Sequence, residues 1–316
     1  MQRINEPITQ SKAWQKLQED LKEESFYKET ESYHYLAILN STPVGNYLFL
    51  PYGPVAKDPE SFQGAIRSIT DLAKKHHAIF VRLEPQNRDF QKLLPKNSKR
   101  SKDINPADTW QLDLTKNREE LIKNFSQGTR TRFNNYAKKG LYIEKTTDPQ
   151  QIRHLVTMQQ ALAKVKHIGT FSEEYLTAEL SQPFATLYLV KYRPPSGMET
   201  RPDAPPEDVP IAASLFFDHK GTRYYMQSAA DSKYRKFPAT VALLTEAIFD
   251  AKEQGSKTFD FWGIAPEGAS SDHPWAGFTE FKKSFGGHPV HYCGTYDIIL
   301  KPAKYKAYQS LRKYNR

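Results

Sequence analysis

A strand–loop–helix–strand pattern occurs twice in this chain, and that repetition most strongly limits the folds open to it. The first copy ends in "LAKKHHAIFVRLEP" and the second in "DAKEQGSKTFDFWG". In both copies, an apolar helical face is followed by a short apolar strand, and the copies match in pattern more than in identity. The chain is therefore predicted to be an α/β protein built on a duplicated unit.

Length and composition indicate how many domains the protein has, in which compartment it works and which classes of partner it could bind. Its 316 residues are 38% apolar, which is enough for two ordinary domains. A single cysteine excludes an internal disulfide and a cysteine-built metal site. The sequence shows no signal peptide and no run that could cross a bilayer, so a cytoplasmic protein is expected. A net charge of +9 favours nucleic acid, phosphorylated metabolites or an anionic membrane face, with ordinary basic solubility as the alternative.

Positive charge is concentrated in "GTRTRFNNYAKKG", residues 128–140, on a predicted helix. Aromatic side chains are interleaved with four cations, which are Arg130, Arg132, Lys138 and Lys139. Cations contact phosphates and aromatic rings stack on bases, so the segment is a candidate RNA-binding site. An amphipathic helix with inward-facing aromatics explains the same pattern, and both descriptions can hold at once. The sequence has no Gly-rich phosphate loop and no metal-binding motif, which disfavours nucleotide hydrolysis and metal-dependent chemistry.

One lysine in "WAGFTEFKKSF" has an unusual predicted position. If the segment is helical, positions i, i+3, i+4 and i+7 are Phe278, Phe281, Lys282 and Phe285. This is the spacing of one buried stripe, so Lys282 lies among phenylalanines while Lys283 turns outward. Such a lysine is poorly solvated and becomes a strong local positive charge, suited to a developing oxyanion or a phosphate. The alternative is a lysine whose stem covers the aromatics while its amine reaches water.

Further candidates lie at a strand end and in the second half of the chain. Glu84 ends the predicted strand "VRLEP", and Arg82 stands two residues before it on the same face. Proteins of the α/β class often place reacting groups at strand ends. A surface Arg–Glu pair is the alternative, and the sequence alone favours it. Four further residues are plausible pocket residues that nothing intrinsic singles out: Tyr175, Tyr224, Tyr225 and Arg235.

In this order, the motifs resemble the Fem-type peptidoglycan aminoacyltransferases, which use aminoacyl-tRNA. The strongest match is "FDFWGIAPEGASSDHPWAGFTEFKKSFGG", and supporting matches are "PYGPV", "VRLEP", "RTRFNNYAKKG" and "PATVALLTEAIFDAKEQG". The resemblance implies two acetyltransferase-like (GNAT) domains in tandem, with mixed β-sheets flanked by helices. The expected domains are residues 1–117 with 295–316, and residues 118–294. The second would carry the FKKSFGG signature and a flexible hairpin loop at residues 193–210.

The resemblance also implies a reaction. An amino acid would pass from charged tRNA to the side-chain amine at position three of the peptidoglycan stem peptide, on UDP-MurNAc-pentapeptide or on lipid II. Such interpeptide bridges serve cell wall biogenesis and cell shape. The reaction needs no cofactor and no metal. The implied partners are the two substrates, with a peripheral contact at the inner membrane face and no stable protein partner.

Residue roles follow from the matched motifs. Lys282 would stabilise the tetrahedral oxyanion, and Phe281 would shape the pocket beside it. Glu84 stands where the family usually has Asp near the acceptor, and Tyr175 matches a precursor-contacting tyrosine. The expected substrate-binding residues are Glu84, Arg82, Tyr175, Tyr225 and Arg235, and the expected tRNA-binding residues are Arg130, Arg132, Lys138 and Lys139.

The sequence departs from the family at several substrate-contacting positions. Those that hold the precursor's phosphates read Gln18 and Phe171 here, and aromatic contacts near strand ends read Ile79 and Gln227. Phosphate binding must then come from other residues, or the acceptor differs. One alternative function is an acyl-CoA-dependent GNAT enzyme acting on a small amine, although "SKYRKFPA" lacks the glycines of a pyrophosphate loop. Another is a non-catalytic RNA-binding module, which explains the charge but not a lysine in a buried stripe.

Overall fold

A computed structural model of the chain describes residues 6–166, 169–195 and 202–314. The chain divides into two compact units, the first formed by Met1–Asp108 with His291–Arg316 and the second by Thr109–Val290. Two seven-stranded sheets are formed, and helices flank both. The predicted α/β class with mixed sheets is therefore confirmed. Among the described residues, no helix combines the length and the apolar character needed to cross a bilayer.

The first unit combines helices with one of the two sheets. Its helices are α1 (Lys12–Asp20), α2 (Pro59–Lys75) and, at the end of the chain, α9 (Pro302–Tyr314). Its strands are β1 (Ser25–Glu29), β2 (Tyr33–Asn40), β3 (Tyr47–Leu50), β4 (Val55–Ala56), β5 (Phe80–Leu83), β6 (Ser98–Arg100) and, after the second unit, β14 (Tyr296–Ile299).

The sheet of the first unit has the order β1-β2-β3-β5-β14-β6, with β4 paired to β2. Strands β3 and β5 run parallel because α2 forms the crossover between them. Asp58 caps α2 by accepting from the amide of Ser61, and the apolar stripe of the helix, with Phe62 and Ile69 fully buried, packs on the sheet. Strand β14 comes last in the chain yet lies between β5 and β6, antiparallel to both.

The second unit is continuous in sequence. Its helices are α3 (Arg118–Asn124), α4 (Gln127–Asn135), α5 (Ile152–Lys166), α6 (Glu173–Leu180), α7 (Ala239–Glu253) and α8 (Ala276–Lys283). Its strands are β7 (Asp108–Asp113), β8 (Leu141–Thr146), β9 (Ala185–Tyr192), β10 (Ala212–His219), β11 (Thr222–Ala230), β12 (Thr258–Gly263) and β13 (His288–His291). The order in the sheet is β13-β7-β12-β11-β10-β9-β8.

Helix α7 is the central core element of the second unit. Ten of its fifteen residues are buried, so it is apolar on nearly every side rather than along one stripe. It contacts β8 to β11 and shares a core cluster with Phe216, Phe259 and Phe285. It also forms the crossover that makes β11 and β12 parallel neighbours. The two crossovers, α2 with β5 and α7 with β12, are the two copies of the repeated sequence pattern.

The second unit contains a divided helical segment and a long hairpin connection. Residues 118–139 form two helices and a short 3-10 helix, because Phe125 leaves the helical conformation and Ser126 starts α4 as its N-cap. Strands β9 and β10 are antiparallel neighbours on either side of the predicted loop at residues 193–210. The central part of that loop, residues 196–201, lies outside the described residues.

Candidate active site

The central strands of the second unit separate where the candidate site lies. Strands β11 and β12 pair over three positions only, from Thr222 opposite Thr258 to Tyr224 opposite Asp260. Both strands then continue without pairing to each other, β11 as far as Ala230 and β12 as far as Gly263. Strands that diverge leave backbone groups and side chains facing an open wedge. Such a wedge at the centre of a sheet is a natural position for a substrate.

Each of these two strands is distorted beside the wedge. In β11, the pairing with β10 shifts so that Met226 is an extra residue between Tyr225 and Gln227. In β12, a second irregularity falls between Asp260 and Gly263, and Trp262 within it has a left-handed φ of 64°. That conformation is costly for a large residue without special support. The Asp260 carboxylate supplies support by accepting from the Trp262 amide at 2.7 Å. Bulges of this kind redirect side chains and are frequent at active sites.

Lys282 is buried at the end of this distorted strand. It lies in the last turn of α8 with 7% of its surface exposed. Its ammonium Nζ donates to the Gly263 carbonyl oxygen at 2.5 Å and lies 6.0 Å from the ring centroid of Tyr225. Lys283 is exposed and pairs with Glu280. The amine of Lys282 thus stays inside the protein, and the alternative of a lysine reaching water is wrong.

Two opposite effects act on the pKa of the Lys282 amine, and burial is the larger one. It lowers the pKa of the Lys282 amine to about 8, while the negative charge of Asp260 acts in the opposite direction. The ammonium form therefore prevails at neutral pH, but its proton is held weakly. Asp260 is itself buried and accepts hydrogen bonds from Gln111 and Thr109, and burial raises its pKa. Asp260 was not among the residues predicted from the sequence, although an aspartate inside the apolar strand "TFDFW" was a usable signal.

The short helix α8 holds Lys282 in place through contacts at both of its ends. At the first turn, the Thr279 hydroxyl donates to the Trp275 carbonyl at 2.7 Å and accepts from the Ala265 amide at 2.8 Å. Beyond the last turn, Phe285 is fully buried and meets Phe281 edge-on at 5.3 Å. Gly287 then requires glycine, because its φ is 96° and a Cβ atom would come within 2.3 Å of the Gln111 carbonyl oxygen. These contacts explain why the phenylalanines and glycines of "FKKSFGG" surround the lysine.

Phe278 departs from the predicted stripe. It was expected to be buried beside Lys282, but 39% of its surface is exposed. Its ring still lies 5.1 Å from the Lys282 Nζ. The stripe is interrupted because the first turn of α8 extends past the phenylalanine core, which Phe281 and Phe285 complete. The expectation of three buried phenylalanines around the lysine is therefore wrong for Phe278.

The basic segment forms a cavity of its own. A cavity of about 320 Å³ is lined by Thr131, Arg132, Asn135, Lys138, Lys139 and Pro238. Three of the four predicted tRNA-binding residues therefore lie together, beside the residue that precedes α7. Arg130 is different, since its guanidinium donates to the Lys123 and Phe125 carbonyls and closes the turn between α3 and α4. Phe133 and Tyr136 pack against the core, as the amphipathic alternative expects.

Tyr175 lies on α6 beside an unusual carboxyl group. Its ring stacks on Phe171 at 4.9 Å, and its hydroxyl is hydrogen-bonded to Glu179, one turn further along the helix. Glu179 is 1% exposed, and its Oε2 has no hydrogen-bond partner among the residues that the structure describes. Burial raises the pKa of Glu179 to about 8, against the effect of the Tyr175 hydrogen bond. Glu179 was also missed at the level of sequence, where its i+4 spacing from Tyr175 was the available signal.

The other predicted pocket residues occupy different environments. Tyr225 is half-buried, stacks on Phe216 at 5.5 Å and lies beside Lys282. Arg235 is exposed and follows the short 3-10 helix Ser232–Tyr234 that leads into α7. Gln227, at a position where the family has an aromatic residue, accepts from Gln159 of α5 at 3.3 Å.

In the first unit, Glu84 is a buried and well-satisfied acceptor. Its Oε1 accepts from the amides of Ile104 and Asn105 and from the Thr295 hydroxyl, and its Oε2 accepts from the Asn105 side chain at 2.7 Å. Burial raises its pKa, while these bonds favour the ionised form. The carboxylate joins the end of β5 to the segment before β7 and the segment before β14.

Arg82 pairs with another residue. Its guanidinium forms a bidentate ion pair with Asp297 of β14, with N–O distances of 2.7 and 2.8 Å, and it also donates to Tyr308 and Ser101. It is 2% exposed. The surface Arg82–Glu84 pair, which the sequence alone favoured, is therefore wrong, because both side chains are buried and each has other partners.

Within the described ranges 6–166, 169–195 and 202–314, no group of three or more His, Cys, Asp or Glu residues is placed to hold a metal ion.

Comparisons with known proteins find similarity in the segment that contains Lys282 and over the whole fold. The model of the FemAB family matches residues 197–313, a segment that includes α7, β12 and α8. A solved structure described as FemX covers 97% of this chain and 95% of its own, with a TM-score of 0.81 at 16% identity. Over residues 197–313 the chain is similar to the FemAB family, and its fold is that of the FemX structure. No curated protein matches its sequence.

Two further solved structures share this fold, and one of them is described as a tandem GNAT protein. The structure of L-PGS from Bacillus licheniformis has a TM-score of 0.60 at 13% identity, covering 99% of this chain and 97% of its own. A tandem GNAT protein from the clavulanic acid biosynthesis pathway has a TM-score of 0.50 at 11% identity, covering 84% and 78%. The predicted fold class, with two GNAT-like halves, is therefore confirmed.

Proposed function

We propose that the protein is an aminoacyltransferase that moves an amino acid from aminoacyl-tRNA to the stem-peptide side-chain amine of a peptidoglycan precursor. The observation that carries this proposal is the Lys282 ammonium, buried at the open end of the β11–β12 wedge in a FemAB-matched segment. A fixed, poorly solvated positive charge stabilises negative charge that appears only in the transition state. Transfer between an ester and an amine produces such a charge.

The proposed reaction has two steps. The neutral acceptor amine attacks the ester carbonyl of the donor, forming the new C–N bond and placing negative charge on the carbonyl oxygen. Lys282 stabilises that oxyanion, with Phe281 and Tyr225 bordering the space around it. The intermediate then collapses by breaking the ester C–O bond. The amine loses one proton and the leaving ribose oxygen gains one to become a hydroxyl. The reaction therefore balances without an external oxidant, cofactor or metal.

The cavity of Arg132, Lys138 and Lys139 supports an RNA donor. Three cations around one cavity neutralise backbone phosphates without reading the sequence, as a tRNA-dependent enzyme needs. Arg130 serves this surface indirectly, by fixing the turn that starts α4. Arg235 is an exposed cation in the short segment that leads into α7, and we assign it to substrate phosphate.

The acceptor side is assigned to Tyr175 of the second unit. Tyr175 offers a hydroxyl fixed by Glu179. Glu84 has four accepted hydrogen bonds, which suit a residue that positions the 104–105 segment better than a proton acceptor. Arg82 likewise supports β5 and β14 through Asp297. Glu84 and Arg82 therefore position backbone within the first unit.

A transfer assay tests the proposal. Purified protein would receive labelled Gly-, Ala- or Ser-tRNA with UDP-MurNAc-pentapeptide or, separately, lipid II, and acetyl-CoA with the same acceptors. Label moving from tRNA to an acceptor is expected. The Lys282→Met variant should lose about 100- to 1000-fold in kcat, the usual cost of one oxyanion-stabilising group. The matched Lys283→Met variant should stay within a few-fold of wild type, because that lysine is exposed and pairs with Glu280.

The other outcomes separate the alternatives. Consumption of acetyl-CoA with label remaining on tRNA would identify an acyl-CoA-dependent GNAT enzyme. Binding of tRNA without transfer to either acceptor would identify an RNA-binding module. Full activity of Lys282→Met would remove the buried amine from the mechanism.

A further inference from the structure

An exposed aromatic pair lies beside the buried amine. Trp275 and Phe278 are 38% and 39% exposed, and their ring centroids are 5.7 Å apart. The His273 ring extends the series, 6.1 Å from Trp275. Single exposed apolar residues are ordinary on protein surfaces, but adjacent large rings in a candidate site suggest a binding surface. The Phe278 ring joins this surface to the mechanism, because it lies 5.1 Å from the Lys282 Nζ.

Local hydrogen bonds fix this aromatic surface. The Trp275 amide donates to His273 Nδ1 at 3.1 Å, and the Trp275 carbonyl accepts from the buried Thr279 hydroxyl at 2.7 Å. Thr279 is in turn bonded to the Ala265 amide. The backbone under both rings is thus tied to the strand end that also supplies the Gly263 carbonyl. A surface ordered before binding loses less entropy when a ligand arrives.

The chemistry of the surface points to a flat conjugated ring. Exposed aromatic faces stack on nucleobases with little dependence on sequence, and each such stack strengthens binding by about 5- to 100-fold. In an aminoacyl-RNA, the ester carbonyl and the terminal base are carried by the same ribose. If the ester carbonyl is held at Lys282, the terminal base therefore lies no further from the Phe278 ring than about the length of one nucleoside. The stem peptide, which is the part of the acceptor that reaches the ester, offers no comparable ring.

We propose that Trp275 and Phe278 form the stacking platform for the terminal nucleobase of the aminoacyl-RNA donor. This inference rests on the proposed function and adds the group by which the reacting end of the donor is oriented over Lys282. The contact holds the base in the ground state and in the transition state alike. It should therefore appear in the KM for the donor and leave kcat nearly unchanged.

The experiment combines protein variants with a change in the donor. One donor is an aminoacylated RNA minihelix ending in adenosine, and the other is identical except that its terminal ribose has no base. Each is assayed with wild type, Phe278→Ala, Trp275→Ala and the conservative Trp275→Phe. Lys283→Met serves as the control on the other side of the helix. Binding of non-hydrolysable versions, with the ester replaced by an amide, is measured in parallel.

Removal of the base should raise the wild-type KM about 5- to 100-fold, as expected when one stack is removed. Phe278→Ala and Trp275→Ala should raise the KM for the normal donor in the same range. Removing base and ring together should cost little more than removing either one, because the two changes delete the same interaction. Trp275→Phe should recover most of the affinity.

Three results would overturn the platform. One is transfer by wild type that is equal with and without the base. Another is additive effects in the combined experiment, which would show that ring and base act separately. The third is a rise in the acceptor KM alone, which would assign the rings to the acceptor. In all three cases transfer from RNA still occurs, so the proposed function stands. If wild type neither binds the amide analogue nor transfers from either donor, the proposed function fails and the platform fails with it.

Discussion

Replacing Lys282 with methionine should change how the stability of the protein depends on pH. The amine has a pKa of about 8 in the folded protein, against 10.5 as the ordinary value. Between these two values the unfolded chain binds more protons than the folded one. The free energy of unfolding of the wild type therefore rises with pH in this window. The added stability is complete above 10.5 and is lost as the pH falls through 8. Methionine has no proton to lose, so the variant lacks this contribution.

The magnitude follows from the size of the shift. A difference of roughly 2.5 pKa units at 1.36 kcal/mol per unit corresponds to about 3 kcal/mol. Between pH 7 and pH 10.5 the wild type should gain about 3 kcal/mol of stability relative to Lys282→Met. The variant also leaves the Gly263 carbonyl without its donor. That effect is present at both pH values, since a neutral amine still donates, and it cancels in the comparison.

Urea unfolding of both proteins at a series of pH values measures this difference. Other groups titrate over the same range, but they are common to both proteins and cancel. Lys283→Met is the matched control, and as a surface substitution it should follow the wild type within about 0.5 kcal/mol at every pH. If the curves of wild type and Lys282→Met stay parallel from pH 7 to 10.5, Lys282 is not a buried charge in the folded protein, and the electrostatic argument for its role is refuted.

Three other predictions concern activity, salt and a second buried group. The kcat/KM of transfer should fall above about pH 8 as Lys282 loses its proton, and a pH–rate profile that keeps rising to pH 10 would contradict an ammonium role. Replacing the three cations of the basic cavity, Arg132, Lys138 and Lys139, with glutamine should raise the KM for aminoacyl-tRNA. It should also reduce the salt slope by about 1 for each phosphate that is no longer neutralised, and an unchanged slope would place the RNA elsewhere. Glu179 has a raised folded pKa of about 8 against an ordinary 4.5, so its favourable contribution to stability is complete below 4.5 and disappears as the pH rises through 8. Relative to wild type, Glu179→Gln should therefore gain several kcal/mol of stability between pH 4.5 and pH 9, and denaturation curves that run parallel over this range would show that Glu179 reaches solvent.

Local sequence patterns were sufficient for the duplicated α/β framework and for the burial of Lys282. The helical spacing around Lys282 directs its stem to the same side as Phe281 and Phe285, and this information lies within one or two turns. Phe278 does not obey the same rule. Spacing tells which side of a helix a residue occupies, but it does not tell how far the core extends along the helix.

Contacts between residues that are far apart in the sequence could not be predicted from local sequence patterns. Arg82 and Glu84 are close together on one strand, so the sequence favoured pairing them. Arg82 instead meets Asp297, and Glu84 meets Thr295, both from the last strand region of the chain. Neither partner could be chosen without knowing that β14 inserts beside β5. Asp260 stood out as an aspartate inside an apolar strand, but its side-chain partners Thr109 and Gln111 lie about 150 residues earlier, so local patterns did not show its role.

The late insertion of β14 has a consequence for the order in which the protein assembles on the ribosome. Synthesis at about 5–20 residues per second leaves roughly ten to forty seconds between the emergence of residue 108 and that of β14, while the whole second unit is translated. During that interval β5 and β6 lack the strand that joins them, and the Arg82 guanidinium lacks its carboxylate. The second unit, being continuous, has all of its strands available first. The nascent chain therefore carries an open sheet edge for most of its elongation. An unpaired edge is prone to aggregation, so chaperone binding would have its largest effect in this period.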